Sequence, residues 1–304
     1  MLTDMDKIAP LRDVILMHAK QYSNDGADYS ATTLQNPPRV VHLNKRHGHK
    51  MDIFVKQHLA SFIGTALHNY AEFLLNKIPN TPYICEERLH MKVANRDISG
   101  AYDLVHKKDM TMGDWKTTSV WKAMFGDYKD WTAQQNIYRL LYYKEHGESL
   151  RILKIIAVFK DWSKNEKFRS GPNYPAEPAM EYRMPVWSLK KTKDYMEIQV
   201  ENLKAYEDTP DDDLPECTFD EMWCRPDQVA VKSTRIKKAV RVLSSMQAAK
   251  NFTKNYLGSP TCKDTMGTLS YEVRPAKRTR CEEWCSINKY CNQYQQHLKE
   301  KADK

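Results

Sequence analysis

The chain has 304 residues, 41% of them hydrophobic and 28% charged, a balance that excludes a disordered chain and implies a packed core. Lys and Arg outnumber Asp and Glu by 47 to 39, which favours an anionic partner such as nucleic acid. No run reaches the roughly 18 apolar residues of a membrane span, and the start Met1-Leu2-Thr3-Asp4 lacks a signal-peptide pattern. The expectation is a cytoplasmic protein with no membrane partner, its oligomeric state open. Seven cysteines, an odd number in a reducing compartment, argue against a disulfide framework and for metal or cluster ligation.

Residues 1 to 50 show little periodicity, and Lys45-Arg46-His47-Gly48-His49-Lys50 reads as the basic tip of a solvated loop. From Asp52 to Lys77, apolar residues including Phe54, Val55, Leu59, Phe62, Ile63, Leu67 and Phe73 recur at helical steps, until Pro79 and Pro82. Strands are predicted at Tyr83 to Met91, Ile98 to His106 and Thr111 to Lys116. Turns fall at Asn95-Arg96-Asp97 and Lys107-Lys108-Asp109. A helix follows from Asp130 to His146, stopped by Gly147. Arg151 to Phe159 is a nearly continuous apolar run, the pattern of a buried strand. Residues 161 to 182, with Pro172, Pro175 and Pro178, read as an extended loop. Helices are expected near 189–207 and 245–257. This order predicts an α/β protein with a mixed central sheet flanked by helices. The domain reading is an N-terminal segment 1–50, a core 51–190 and a C-terminal helical, cysteine-bearing region 191–304.

Two strand ends carry the chemistry. Gly100-Ala101-Tyr102-Asp103 closes one, and Gly113-Asp114-Trp115-Lys116 closes the next, with Asp114 and Lys116 on one face by the period of two. Two carboxylates and an ammonium in one pocket suit phosphodiester hydrolysis with Mg²⁺ or Mn²⁺. Alone, a D-x-K pair reads first as an ordinary hairpin salt bridge. His68 and Glu72 share a helix face, Glu86 and Glu87 lie on the first strand, and Gln134 and Tyr138 share a face of the next helix.

The ordered set G-x-x-x-H-x-x-x-E, an acidic strand, G-x-x-D, D-x-K and Q-x-x-x-Y resembles the RecB/AddB-like PD-(D/E)XK nucleases, the branch with CRISPR-associated and phage-type exonucleases. The match spans about residues 60 to 145. The resemblance implies a restriction-endonuclease-like core in which His68, Asp103 and Asp114 are metal ligands, with the Trp115 carbonyl a candidate for another. Lys116 becomes the catalytic lysine, Gln134 and Tyr138 the accessory motif. The family's intermediate glutamate corresponds to Glu87 or Glu86, with Glu87 favoured.

Near the C-terminus, Cys281, Cys285 and Cys291 form C-x₃-C-x₅-C, a spacing that favours a soft metal or an iron–sulfur cluster. The resemblance implies a [4Fe–4S] cluster, whose fourth cysteine in the family precedes the histidine motif. Here no cysteine precedes Cys85, so the pattern departs from the family. Cys217 is the chosen fourth ligand, with Cys224 and Cys262 as alternatives, Cys85 a buried strand thiol, and Zn²⁺ an alternative to the cluster. Basic clusters at Lys232, Arg235, Lys237, Lys238 and Arg241, and at Arg274, Lys277, Arg278 and Arg280, could follow a phosphate backbone. The functional expectation is a metal-dependent DNA exonuclease acting on single-stranded or end-resected DNA in recombination, repair or phage DNA processing. The alternatives are a catalytically inactive, cluster-stabilised nucleic-acid-binding protein and a metal-independent interaction subunit.

Overall fold

The computed structural model describes residues 7–20, 25–51, 55–259 and 262–302; the expected helix start at Asp52 and Phe54, and the leader reading at Met1 to Asp4, lie outside them. Contacts divide the chain into two units, Met1–Val41 with Lys50–Thr209, and His42–His49 with Pro210–Lys304. This division differs from the three-part reading 1–50, 51–190 and 191–304.

The elements of the first unit, in chain order, are α1 (Ala9–Lys20), β1 (Tyr29–Ser30), α2 (Pro38–His47, within which the division falls), α3 (Val55–Leu75), β2 (Tyr83–Val93), β3 (Arg96–His106), β4 (Thr111–Thr118), α4 (Val120–Phe125), α5 (Lys129–His146), β5 (Ile152–Phe159), α6 (Lys164–Arg169), β6 (Ala179–Met184) and α7 (Leu189–Lys204). The strands form a mixed six-stranded sheet. β2, β3, β4, β5 and β6 lie in that order, and β1 pairs in parallel with the first half of β3. β2–β3, β3–β4 and β5–β6 are antiparallel, while β4 and β5 run parallel with α4 and α5 as the crossover. Parallel neighbours require such a connection, because a tight turn only reverses the chain.

α5 packs against the sheet and against α7. Its buried residues include Ile137, Leu140 and Leu141, and the Tyr142 ring stands edge-on to Tyr102 at 5.7 Å. The polar residues of α5 are also structural. Asn136 bonds the Pro185 carbonyl and the Trp187 amide, and Arg139 reaches the Leu150 carbonyl at 2.6 Å. Gly147 ends the helix in the left-handed region, φ 71°, as expected of a glycine stop.

Several expectations are corrected. α1 and α2 occupy a stretch read as aperiodic, and Lys45 to His47 are the last turn of α2, not a loop. β5 alternates between buried Leu153, Ile155, Ala157 and Phe159 and half-buried partners, so only one of its faces is fully covered. The expected loop at 161–182 contains α6 and the start of β6. Beside the expected helices, the second unit also contains strands. It holds β7 (Cys224–Arg225), β8 (Gln228–Ser233), β9 (Arg241–Leu243), α8 (Met246–Leu257), β10 (Leu269–Arg274), β11 (Lys277–Arg278) and α9 (Asn292–Ala302). β10, β8 and β9 form an antiparallel sheet, and β7 and β11 a ribbon. Among the described residues, no helix is long and apolar enough to cross a membrane.

Candidate active site

The β3–β4 ladder pairs His106 with Thr111 and ends at Leu104 with Gly113. One step on, where Asp103 would face Asp114, the strands part. The Asp103 carboxylate takes the Trp115 N–H at 2.6 Å, replacing a ladder bond with a side chain. Asp114 sits on the central strand with 1% of its surface exposed, and Lys116 Nζ lies 2.5 Å from its Oδ2. That oxygen has this ion-pair contact but no well-aligned hydrogen-bond donor, so a buried acceptor is left incompletely satisfied.

α3 supplies the histidine. Gly64 lets the helix approach β4, since a Cβ there would stand 3.1 Å from Thr117 Oγ1. One turn later His68 places Nδ1 3.5 Å from Asp103 Oδ2. A backbone hydrogen bond at Trp115 favours the protonated His68 ring, so the imidazole stands beside the Trp115 backbone.

The glutamate expectation is corrected at this point. Glu87 accepts from Tyr102 Oη at 2.7 Å and pairs with His146 Nε2 at 2.9 Å, away from His68 and Asp103. Glu86 stands at the site instead, acting electrostatically on both His68 and Asp103 and sharing a hydrogen bond with Glu72. The β2–β3 ladder pairs Cys85 with Leu104 and Glu87 with Tyr102 but skips Glu86. Glu86 has φ +23°, a strained value for a residue with a side chain.

The electrostatics fit a cation site. Burial pushes the Asp103 carboxyl well above its usual range, and the neighbouring Asp114 adds to the effect. Burial, then Glu72, raises Glu86. Burial opposes the Lys116 ammonium, but Asp114 and Asp103 outweigh it and raise its pKa. Burial lowers His68 despite Asp114, which favours the neutral imidazole that ligation requires. Gln134 donates to Tyr138 Oη at 2.7 Å, and burial followed by Asp114 raises the phenol, so Tyr138 stays protonated. Both residues are buried, and Gly100 admits the ring, since a Cβ there would meet it at 2.8 Å.

The arrangement brings together two carboxylates and a neutral imidazole beside the Trp115 backbone, hard and borderline donors suited to Mg²⁺ or Mn²⁺. Among the described residues, no group of three His, Cys, Asp or Glu is preassembled for a metal ion. The Lys116 ammonium and the Trp115 amide each occupy one carboxylate oxygen. The donor chemistry fits, since Lys116 contacts only Oδ2 of Asp114 and the Trp115 amide only Oδ2 of Asp103.

In the second unit Cys217, Cys281, Cys285 and Cys291 influence one another electrostatically, without forming a preassembled metal group among the described residues. Burial raises Cys217 to about 12, with Glu221, Cys291 and Cys281 adding to it. Burial raises Cys281 to about 11, followed by Cys285 and Cys291. The Gln293 side chain holds Cys217 at both backbone groups, accepting its N–H at 3.0 Å and donating to its carbonyl at 2.9 Å. Cys224 also influences Cys281, so it borders the group. Cys85, expected buried, is half-buried on β2. Cys262 donates toward the Asp264 carbonyl at 3.8 Å.

No family model matches the chain, and no curated protein matches it. A solved structure described as "Crystal structure of SSO0001" is 16% identical, covering 68% of this chain and 89% of its own, with a TM-score of 0.44. A likeness at that level carries no argument about fold or function.

Proposed function

We propose that the first unit is a metal-dependent deoxyribonuclease with a restriction-endonuclease-like fold, hydrolysing phosphodiester bonds in DNA. The observation that carries this reading is the convergence of Asp103, Asp114, Lys116 and His68 where the β3–β4 ladder opens. The helix, three-strand, helix, strand order, with β4 and β5 parallel across α5, supports the fold assignment.

His68, Asp103, Asp114 and the Trp115 carbonyl would hold Mg²⁺ or Mn²⁺. The bound ion would supply a Lewis acid that neutralises charge on the phosphate. Lys116, held charged by the two aspartates, orients the attacking water and stabilises the negative charge that develops as the bond breaks. Because Gln134 donates to Tyr138 Oη, the phenol proton stays available to a substrate or solvent oxygen. Glu86 and Glu72, sharing a hydrogen bond, can take up a proton near the reacting centre. In the second unit, Cys217, Cys281, Cys285 and Cys291 would hold a [4Fe–4S] cluster or Zn²⁺ as a structural group.

The test is cleavage of end-labelled linear and circular single strands with Mg²⁺ or Mn²⁺. Wild type is expected to cleave, and Asp114→Ala and Lys116→Ala to lose at least about 100-fold in rate. Equal cleavage by both variants would remove the assigned centre. No cleavage by wild type with either ion would favour the inactive, DNA-binding alternative.

A further inference from the structure

The positive charge of the chain is not spread over it. Residues 224–280 hold 13 Lys and Arg against 3 Asp and Glu, whereas the remaining residues hold 34 against 36. The entire cationic excess therefore lies in one segment of the second unit. A surface made cationic for solubility alone would intersperse both signs, as the rest of the chain does.

That segment contains a folded module. β10, β8 and β9 form its sheet, and Val229, Val231 and Ala249 are its buried core, with Phe252, Leu269 and Tyr271 packed around them. The module projects its cations outward. Residues 234–238, joining β8 to β9, are all exposed and carry Arg235, Lys237 and Lys238, and Arg241 follows exposed at the start of β9. On α8, Lys250 and Lys254 are four apart and exposed.

Counter-ions are scarce. Glu272 is engaged by Arg274 at 2.8 Å and by Lys232 at 3.9 Å, and the Asp264 carboxylate takes hydrogen bonds from Ser233 and Tyr256. Among the described residues, Lys237, Lys238, Arg241, Lys250 and Lys254 form no ion pair. Like charges crowded on a small module repel one another, and a polyanion relieves that repulsion while releasing its own counterions.

We propose that the β8–β9 hairpin, together with α8, is an arm that grips the sugar–phosphate backbone of nucleic acid. The choice of nucleic acid over another polyanion rests on the nuclease reading of the first unit, whereas the existence of a polyanion site does not. The arm concerns holding the strand, and no residue of the proposed centre belongs to it.

The experiment measures binding of the full chain to a fluorescein-labelled oligodeoxynucleotide, single-stranded and duplex, by anisotropy across a KCl series without added divalent ion. The arm variant carries Arg235→Ala, Lys237→Ala, Lys238→Ala and Arg241→Ala. The control removes four exposed lysines of the first unit, Lys107, Lys108, Lys144 and Lys190. The arm variant should bind at least about tenfold more weakly at low salt, with a log–log salt slope shallower by about 3. The control should keep the wild-type slope. Single Lys237→Gln and Lys238→Gln substitutions, at exposed loop positions that cannot unfold the module, should each reduce the slope by about 0.7–0.9. Unchanged binding by the arm variants, or an equal loss in the control, overturns the proposal. Binding to phosphatidylserine vesicles without binding to either oligonucleotide also overturns it, in favour of a membrane surface. Cleavage, assayed separately with Mg²⁺, tests the proposed centre alone, so a failure of one reading leaves the other measurable.

Discussion

Glu86 and Glu87 are adjacent glutamates with opposite surroundings, and the difference predicts opposite phenotypes. Glu86 faces Glu72, His68 and Asp103 from a strained, unpaired position in its strand. Glu87 is tied to Tyr102 and His146. Glu86→Gln is therefore expected to lower the cleavage rate and the affinity for Mn²⁺, each by about 10- to 100-fold, as loss of a group supporting a metal site does. Glu87→Gln should leave the rate within about twofold and cost about 1 kcal/mol of stability through its hydrogen bonds. Rates, Mn²⁺ titration and urea unfolding of the two variants check both statements, and an inverted outcome would move the glutamate role to Glu87. The resemblance left both glutamates open and favoured Glu87 without fixing a register, and the register of the β2–β3 hairpin decides between them. A three-residue turn at Asn95–Asp97 puts Glu87 on the face of Asp103. The observed turn has two residues, Ala94 and Asn95, both with positive φ, and it pairs Val93 with Arg96. Continued down the hairpin, that register sets Glu86 opposite Asp103, because a shift of one residue exchanges the faces.

Elements position the site through two glycines whose roles differ in strictness. At Gly100 a Cβ would lie 2.8 Å from Tyr138 ring carbons and 2.9 Å from Leu141 Cδ1, both on α5. The ring is held in the core and cannot yield, so Gly100→Ala should cost about 1–3 kcal/mol and displace Tyr138 from its bond with Gln134. At Gly64 the approach to Thr117 Oγ1 is 3.1 Å, a single hydroxyl that can rotate. Gly64→Ala also gains helix propensity in α3, so its net effect should stay within about 1 kcal/mol. Urea unfolding midpoints rank the two, and a larger loss at Gly64 would contradict this packing. Both glycines stand inside motifs that the sequence displays, as do α3, β2 to β4, α5 and the core of β5, whose apolar periods are strong. What was not legible is short or locally polar. β9 has three residues and β7 two, too few for a period, and α2 has a strongly polar sequence with Lys45, Arg46 and His47 in its last turn. The long Pro-bearing stretch before β6 hid α6, a helix of six residues capped by Ser163.

At the scale of the whole molecule, the two units should respond to different perturbations. The first rests on a broad apolar core, whereas the second combines the apolar core of its β8–β10 module with polar links elsewhere. If the four thiols hold a metal or cluster, Cys217→Ser should reduce iron or zinc content by at least about half and lower the stability of the second unit. Cys85→Ser and Cys262→Ser should leave the content unchanged, and elemental analysis decides. A second link is Asp211, which holds Arg46 at 2.6 Å and His47 at 2.5 Å, while the His47 ring stacks on Tyr290 at 4.6 Å. Burial alone would raise the Asp211 carboxyl, but hydrogen bonds from His47 and Arg46 outweigh it and hold the carboxyl below its usual range. A carboxyl depressed in the folded state contributes stability that is fully present above its unfolded value, near about 3.9, and is lost as pH falls through the lower folded value. Asp211→Asn should therefore destabilise the second unit at neutral pH, and the deficit should shrink toward zero as wild type is acidified below about pH 4. Because the side chain is about one-third exposed, solvent screens the pair and the deficit should be modest. Thermal unfolding of both proteins across pH 3 to 7 measures it. A deficit that persisted unchanged to the acid end would mean that Asp211 acts through its shape and not through its charge.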